Sequence, residues 1–181
     1  MTDSLIAHGG LVALRLDGLW RGALISGASG SGKSDLTARA LAQGFHLVAD
    51  DRTVVFVSQG RLFGRAPSAL RGLIEIRGIG VLGCRCLPLA EIVLAVDCVE
   101  APGAPERMAP GENREIVGVA IPLLRLWPFE ASAPHKLRSG LEHLGAQRQQ
   151  AYQAALQLRG PCLVEGGKFG RDREIPLGSL R

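Results

Sequence analysis

The segment Gly27-Ala28-Ser29-Gly30-Ser31-Gly32-Lys33-Ser34 constrains this chain more than any other. Glycines at its first and sixth positions, followed by Lys and Ser, form the pattern of a phosphate-binding loop. Glycines let the backbone curl until several N–H groups face one anion, and Lys33 adds a cation for the outer phosphates. The Ser34 hydroxyl suits Mg²⁺, and a helix starting there turns its positive end toward the anion. A flexible Gly/Ser linker would share the composition but not the context. The apolar run Ala23-Leu24-Ile25-Ser26 precedes the loop as a buried strand does. Residues 35–42 follow with helical spacing: Leu36, Ala40 and Leu41 share one side, Gly44 closes the segment, and glycine is common just past a helix end. The loop therefore predicts binding of a nucleoside triphosphate, with Lys33 facing solvent until the ligand arrives.

The length of 181 residues suits one domain, 1–181, with a sizeable core. Apolar residues at 46% and charged residues at 21% exclude a low-complexity disordered chain. The net charge of +4 permits an anionic partner. Aromatics at 4%, with no basic stripe between them, argue against nucleic acid. Apolar stretches are short and broken by charge or glycine, so no membrane span is expected. The first eight residues, Met1 to His8, lack a basic region and a continuous apolar core, which predicts a cytoplasmic chain without a secretory signal. Cys84 and Cys86 form an isolated C-x-C, and with Cys98 and Cys162 they read as reduced thiols rather than a zinc site.

Further along the chain, residues 11–16 alternate loosely and reach Asp17-Gly18, a strand entering a hairpin. Residues 45–49 read as a strand, and residues 53–57 and 61–63 as a hairpin around Ser58-Gln59-Gly60. Residues 92–96 form an interior strand, 101–111 a Pro/Gly-rich loop, 148–158 a helix and 162–164 a final strand. Strands and helices alternate early and hairpins intrude later, which predicts an α/β fold with a mixed sheet.

Two polar groupings stand out. Asp50-Asp51 follows Leu47-Val48-Ala49, so both carboxylates emerge at a strand's carboxyl end, where α/β sheets bind ligands. One carboxylate of the pair suits Mg²⁺ and the other a general base for a hydroxyl nucleophile; if Asp51 is the base, Asp50 is the Mg²⁺ candidate. A solvated turn would use the same residues. In Leu73-Ile74-Glu75-Ile76-Arg77-Gly78-Ile79-Gly80, Glu75 and Arg77 share a face if the segment is extended. A carboxylate for Mg²⁺ beside a guanidinium for phosphate would fit the chemistry, and so would an internal Glu75–Arg77 salt bridge.

These residues together carry a family resemblance. His8-Gly9, the phosphate loop ending in Ser34-Asp35, then Leu47-Val48-Ala49-Asp50-Asp51, then Glu75-Ile76-Arg77-Gly78-Ile79-Gly80, resemble the HPr kinase/phosphorylase family over residues 8–125. Its most distinctive element is the Glu-Ile-Arg-Gly-x-Gly segment. The resemblance implies a P-loop kinase fold with a mixed sheet, like the HPr kinase catalytic domain. It also implies transfer from ATP to a serine of the small carrier HPr, with reversal by phosphorolysis in many members. Carried onto this sequence, it implies Asp51 as the acid/base, Lys33 as the loop lysine, Ser34 and Glu75 as Mg²⁺ ligands, and His8 as a partner of the aspartates. Arg107, in Glu106-Arg107-Met108, corresponds to an arginine of the active site and phosphate. The resemblance further implies a homo-oligomer, a hexamer, and a short form holding the catalytic domain alone. The family's Pro-Gly-Arg-Asn segment, tied to dephosphorylation, has no counterpart. Ile121-Pro122-Leu123-Leu124-Arg125-Leu126-Trp127-Pro128 stands in its place, so the kinase direction is implied more directly than the reverse.

Two rivals use the same loop. A P-loop kinase acting on a small-molecule hydroxyl would need the same Lys33 and Asp51. A GTP-dependent switch would need an Asn-Lys-x-Asp motif, and the chain's one asparagine, Asn113, is followed by Arg-Glu.

Overall fold

A computed structural model describes residues 4–100 and 111–146. In chain order the strands are β1 (Ser4–His8), β2 (Gly10–Leu16) and β3 (Leu19–Gly27), followed by helix α1 (Lys33–Ala42). Then come β4 (His46–Ala49), β5 (Arg52–Ser58), β6 (Arg61–Arg65), β7 (Leu73–Ile76), β8 (Gly80–Gly83) and β9 (Ala90–Cys98). The β10 (Asn113–Ile116) and β11 (Val119–Leu126) hairpin leads into α2 (Ala133–Gly140), which a π-helical turn at Leu141–Gly145 extends.

Nine strands form one mixed sheet. Its main path runs β1-β5-β6-β9-β3-β2-β4, with β11 beside β9 and β10 beside β11. The β3–β9 and β9–β11 pairs are parallel, and the remaining pairs of this sheet are antiparallel. Strands β7 and β8 form a separate hairpin. The sheet's centre reads as continuous apolar runs because both of its faces are covered. Side chains alternate between two cores, as period-2 geometry requires. Val12, Leu14, Ala23, Ile25, Leu94 and Val96 face a core shared with Leu36 and Ala40 of α1 and Leu137 of α2. Leu11, Ala13, Leu24 and Ala95 point into the other, with Val55, Leu62 and Ile121.

The expected hairpins form, with Asp17 and Gly18 (φ 49° and 81°) and Gln59 and Gly60 (φ 51° and 72°) in the left-handed turns that a right-handed strand twist favours. A third hairpin turns the same way at Val117-Gly118, where φ is 50° and 75°, although Val is unfavourable there. The readings of a buried strand before the loop, a helix after it and an interior strand at residues 92–96 hold in β3, α1 and β9. Gly44 (φ 87°) lies one residue past the C-cap of α1, at Gln43. The readings at 148–158 and 162–164, and that at 101–111 save its last residue, lie outside the described residues. No helix among the described residues is long and apolar enough to cross a membrane.

A candidate phosphoryl-transfer site

The phosphate loop joins the end of β3 to α1, in the middle of the sheet. Gly27 has φ 148°, and a Cβ there would lie 2.7 Å from Ser31 Oγ and 2.9 Å from Cys98 Cβ. The position therefore excludes side chains, and Cys98 lies directly under the loop. Burial pushes the Cys98 thiol up to about 11, so it is an inert packing group rather than a nucleophile. Gly30 and Gly32 hold left-handed φ values of 83° and 91°, and Gly32 caps α1. The first bond into the helix runs from Leu36 N to Gly32 O at 2.9 Å, and Ser31 N donates to Ala28 O at 3.2 Å within the loop; the N–H groups of the first turn of α1 have no intrahelical acceptor and suit an anion. Ser31 Oγ is buried and makes no hydrogen bond among the described residues. An orphaned hydroxyl at the start of a helix fits a phosphate.

Lys33 is half-buried, and its Nζ donates to Gly27 O at 2.9 Å and, at an exposed edge, to Ala28 O at 2.7 Å. An ammonium with three donors and no phosphate takes the nearest carbonyls, which holds it at the mouth of the loop.

The two aspartates have different surroundings. Asp50, past the end of β4, is buried at 6% exposure, and its Oδ2 accepts the Glu75 N–H at 2.9 Å. Burial raises its carboxyl pKa, opposed by backbone N–H bonds from Glu75 and Asp51. Asp50 thus ties the β7 strand to the end of β4. Replacing Asp50 with Ala strands the Glu75 N–H, and stability is expected to fall by about 1–3 kcal/mol. Asn at that position keeps an acceptor and removes the buried charge, so most of the stability should remain; urea unfolding of both variants measures the difference.

Asp51 is exposed and sits at φ 58°. Its turn is fixed by Gly9 N donating to Asp51 O at 2.8 Å and Arg52 N to Asp50 O at 2.6 Å. The antiparallel β1–β5 register sets His8 opposite Arg52, which brings His8 Nδ1 to 3.4 Å from Asp51 Oδ1. The residue after His8 must be small. A Cβ on Gly9 would lie 2.4 Å from Ile25 O, and Thr53 Oγ1 donates to the buried Gly9 carbonyl at 2.8 Å.

Glu75 lies on β7, exposed beside the buried Ile74. The salt bridge between Glu75 and Arg77 that the sequence left open does not occur among the described ion pairs. Instead Arg77 Nη2 lies 3.8 Å from where a Gly30 Cβ would stand, over the phosphate loop. One strand therefore links the Asp50 carboxylate to the loop. Arg107 falls outside the described residues.

Sequence reasoning missed a further group. Asp97, near the end of β9, pairs with Ser26 just before the loop. Arg114 Nη2 binds its carboxylate at 3.0 Å, and Arg114 Nη1 donates to Ser26 Oγ at 2.8 Å. A signal for Asp97 was present: a carboxylate directly follows the apolar run Ile92-Val93-Leu94-Ala95-Val96. Nothing local marks Arg114, which the β10–β11 hairpin carries in. Among the described residues no cluster of three or more His, Cys, Asp or Glu could hold a metal alone.

A glycine-shaped loop between a central strand and a helix, in a mixed sheet with carboxylates at a strand's end, defines an α/β domain with a candidate phosphate-binding site. The family described as HPr Serine kinase C-terminal domain matches residues 1–95, more than half of the chain, and the chain belongs to that family. The HPr kinase/phosphorylase of Leptothrix cholodnii is 47% identical over 73 residues, 40% of this chain and 22% of that protein. That of Lactobacillus acidophilus is 37% identical over 130 residues, 66% of this chain and 39% of that protein. The chain thus spans well under half the length of these curated relatives. The structure of the Hpr(Ser) kinase/phosphatase from Coxiella burnetii superposes with a TM-score of 0.67 at 21% identity, over 86% of this chain and 99% of that one. That likeness is one of fold, and it agrees with the mixed-sheet P-loop kinase architecture expected from the sequence.

Proposed function

We propose that this chain is an ATP-dependent serine kinase that phosphorylates a phosphocarrier protein of the HPr type. The observation that carries the reading is the linkage through β7: Asp50 holds Glu75 N–H while Arg77 of the same segment lies over Gly30. Asp51, the neighbour of Asp50, is the proposed base on the same side as the phosphate loop. Its carboxylate takes the proton of the acceptor serine as the hydroxyl attacks the terminal phosphorus of ATP, and the bond to the bridging oxygen breaks, releasing ADP. His8 orients Asp51, Lys33 and the N–H groups of residues 28–34 hold the phosphates, and Arg77 meets charge on the transferred group. Asp51 is 55% exposed, which suits an acceptor carried on another protein. A small-molecule hydroxyl would call for an enclosed pocket around the base.

The orphaned Ser31 hydroxyl and the hard oxygens of Ser34, Asp50 and Glu75 fit a magnesium nucleotide. Bound Mg²⁺ would neutralise phosphate charge, with Ser34 and Glu75 as its protein ligands and Asp50 behind them. Glu75→Gln is expected to raise the Mg²⁺ concentration needed for half-maximal activity by about tenfold, through loss of an anionic ligand. An unchanged Mg²⁺ titration would remove Glu75 from the metal.

The reverse reaction belongs to the same proposal: inorganic phosphate attacks the phosphoserine, pyrophosphate forms, and Asp51 returns the proton to the serine oxygen. Arg107 is the arginine proposed to grip that phosphate through a two-nitrogen fork. Arg107→Ala should then weaken pyrophosphate release from phosphorylated carrier more than it weakens phosphorylation. A wild-type chain releasing no pyrophosphate is a kinase only. The assembly proposed is a homo-oligomer in the cytoplasm, which sedimentation of the full chain measures. The deciding experiment incubates the chain with γ-labelled ATP, Mg²⁺ and an HPr-type carrier. Label on a carrier serine is expected; label only in small metabolites would favour a small-molecule kinase.

A further inference from the structure

Past β11 the chain makes the turn Trp127-Pro128-Phe129-Glu130 and comes to rest on the phosphate loop. Phe129 is 56% exposed, yet its ring is not loose. A Cβ at Gly32 would lie 2.9 Å from Phe129 Cζ, 3.2 Å from its Cε1 and 2.9 Å from Pro128 Cγ. Only a residue without a side chain lets the ring lie against the loop backbone there. The turn is also held from below. Arg39 of α1 donates to the Pro128 carbonyl and, at 3.1 Å, to the Glu130 carbonyl. Its Nε meets Asp35 Oδ2 at 2.9 Å, while Lys136 Nζ binds the Glu130 carboxylate at 2.7 Å. Trp127 packs edge-on to Phe129, with ring centroids 6.4 Å apart at 70°. A flat apolar ring is therefore fixed in orientation and left facing water, in contact with the last glycine before Lys33.

That placement matches the chemistry of a nucleotide. Phosphates held by the loop N–H groups and the first turn of α1 leave the nucleoside to emerge beside the start of that helix. The 127–130 turn stands against Gly32 at that start, whereas Arg77 approaches the loop at Gly30. We infer that Phe129 is a stacking platform for the nucleoside base, held in place by Arg39 and Glu130. This rests on the nucleotide reading of the phosphate loop and adds a base subsite to it. Stacking accepts either purine, because every base offers a π-face.

The test is calorimetric titration of the full chain with ATP, ADP and tripolyphosphate, which has the phosphates without the base. Phe129→Ala is expected to weaken ATP and ADP about tenfold, the range of one base–aromatic stack, and to leave tripolyphosphate within about twofold. Phe129→Trp should keep wild-type ATP affinity. Unchanged ATP affinity in Phe129→Ala overturns the inference. So does an equal loss for ATP and tripolyphosphate, since the ring would then only shape the loop. A wild-type chain binding none of the three ligands would sink the phosphate-loop reading itself, and the base subsite with it.

Discussion

Lys33→Ala is expected to lose phosphoryl transfer to below detection while keeping the fold. Lys33 contributes the one side-chain cation within the phosphate loop itself. Charge develops on the phosphoryl oxygens during transfer, and an aligned cation in a preorganised loop is worth most at that moment. Removing a single such donor typically costs about 10²–10³ in rate, and weaker nucleotide binding compounds it. The folded state loses less. The bonds from Nζ go to the Gly27 and Ala28 carbonyls, at a loop edge where water can replace the ammonium. Circular dichroism and thermal unfolding should therefore be close to wild type, whereas ATP titration and turnover should collapse. Normal ATP affinity and turnover in this variant would refute the phosphate-loop reading.

Asp51→Asn should bind Mg-ATP normally and lose about 10²–10⁴ in transfer rate, the usual span for a general base. The substitution is a clean probe because of the backbone. Asp51 sits at φ 58°, a region that Asn enters at least as readily as Asp, whereas Ala there adds strain. The amide keeps size and turn but cannot take the serine proton at a useful rate. His8 at 3.4 Å retains a partner oxygen, so orientation survives. Single-turnover transfer from pre-bound ATP measures the chemical step. A crippled Asp50→Asn beside an active Asp51→Asn would reverse the division of labour between the two. That outcome would sit poorly with Asp50, which is buried and already accepts the Glu75 N–H.

Part of this protein was legible residue by residue. The phosphate loop could be read because its glycines answer a local requirement: positive φ at Gly30 and Gly32, and at Gly27 no room for a side chain. The hairpins at Asp17-Gly18 and Gln59-Gly60 were readable for the same reason. The alternation of Leu11 to Leu14 between two cores follows from strand geometry alone. Other elements gave little local sign. Strand β1 exposes Leu5 and Ile6 and is a strand because β5 lies beside it. Helix α2 begins near Pro134 and ends at Gly140, and its apolar Leu137 has meaning only against the sheet core.

The site divides along the same line. Sequence determined the types of group available, namely a lysine after glycines, paired aspartates at a strand's end, and Glu75 and Arg77 two residues apart. Tertiary structure decided their partners. It set His8 beside Asp51 through the β1–β5 register, put Asp50 rather than Arg77 on Glu75, and folded Lys33 back on its own loop. It also brought Arg114 to Asp97 and Phe129 to Gly32. The physical reason is range. Backbone conformation and side-chain period are fixed by neighbours in the chain, whereas hydrogen bonds and ion pairs form between whichever groups the sheet order makes adjacent.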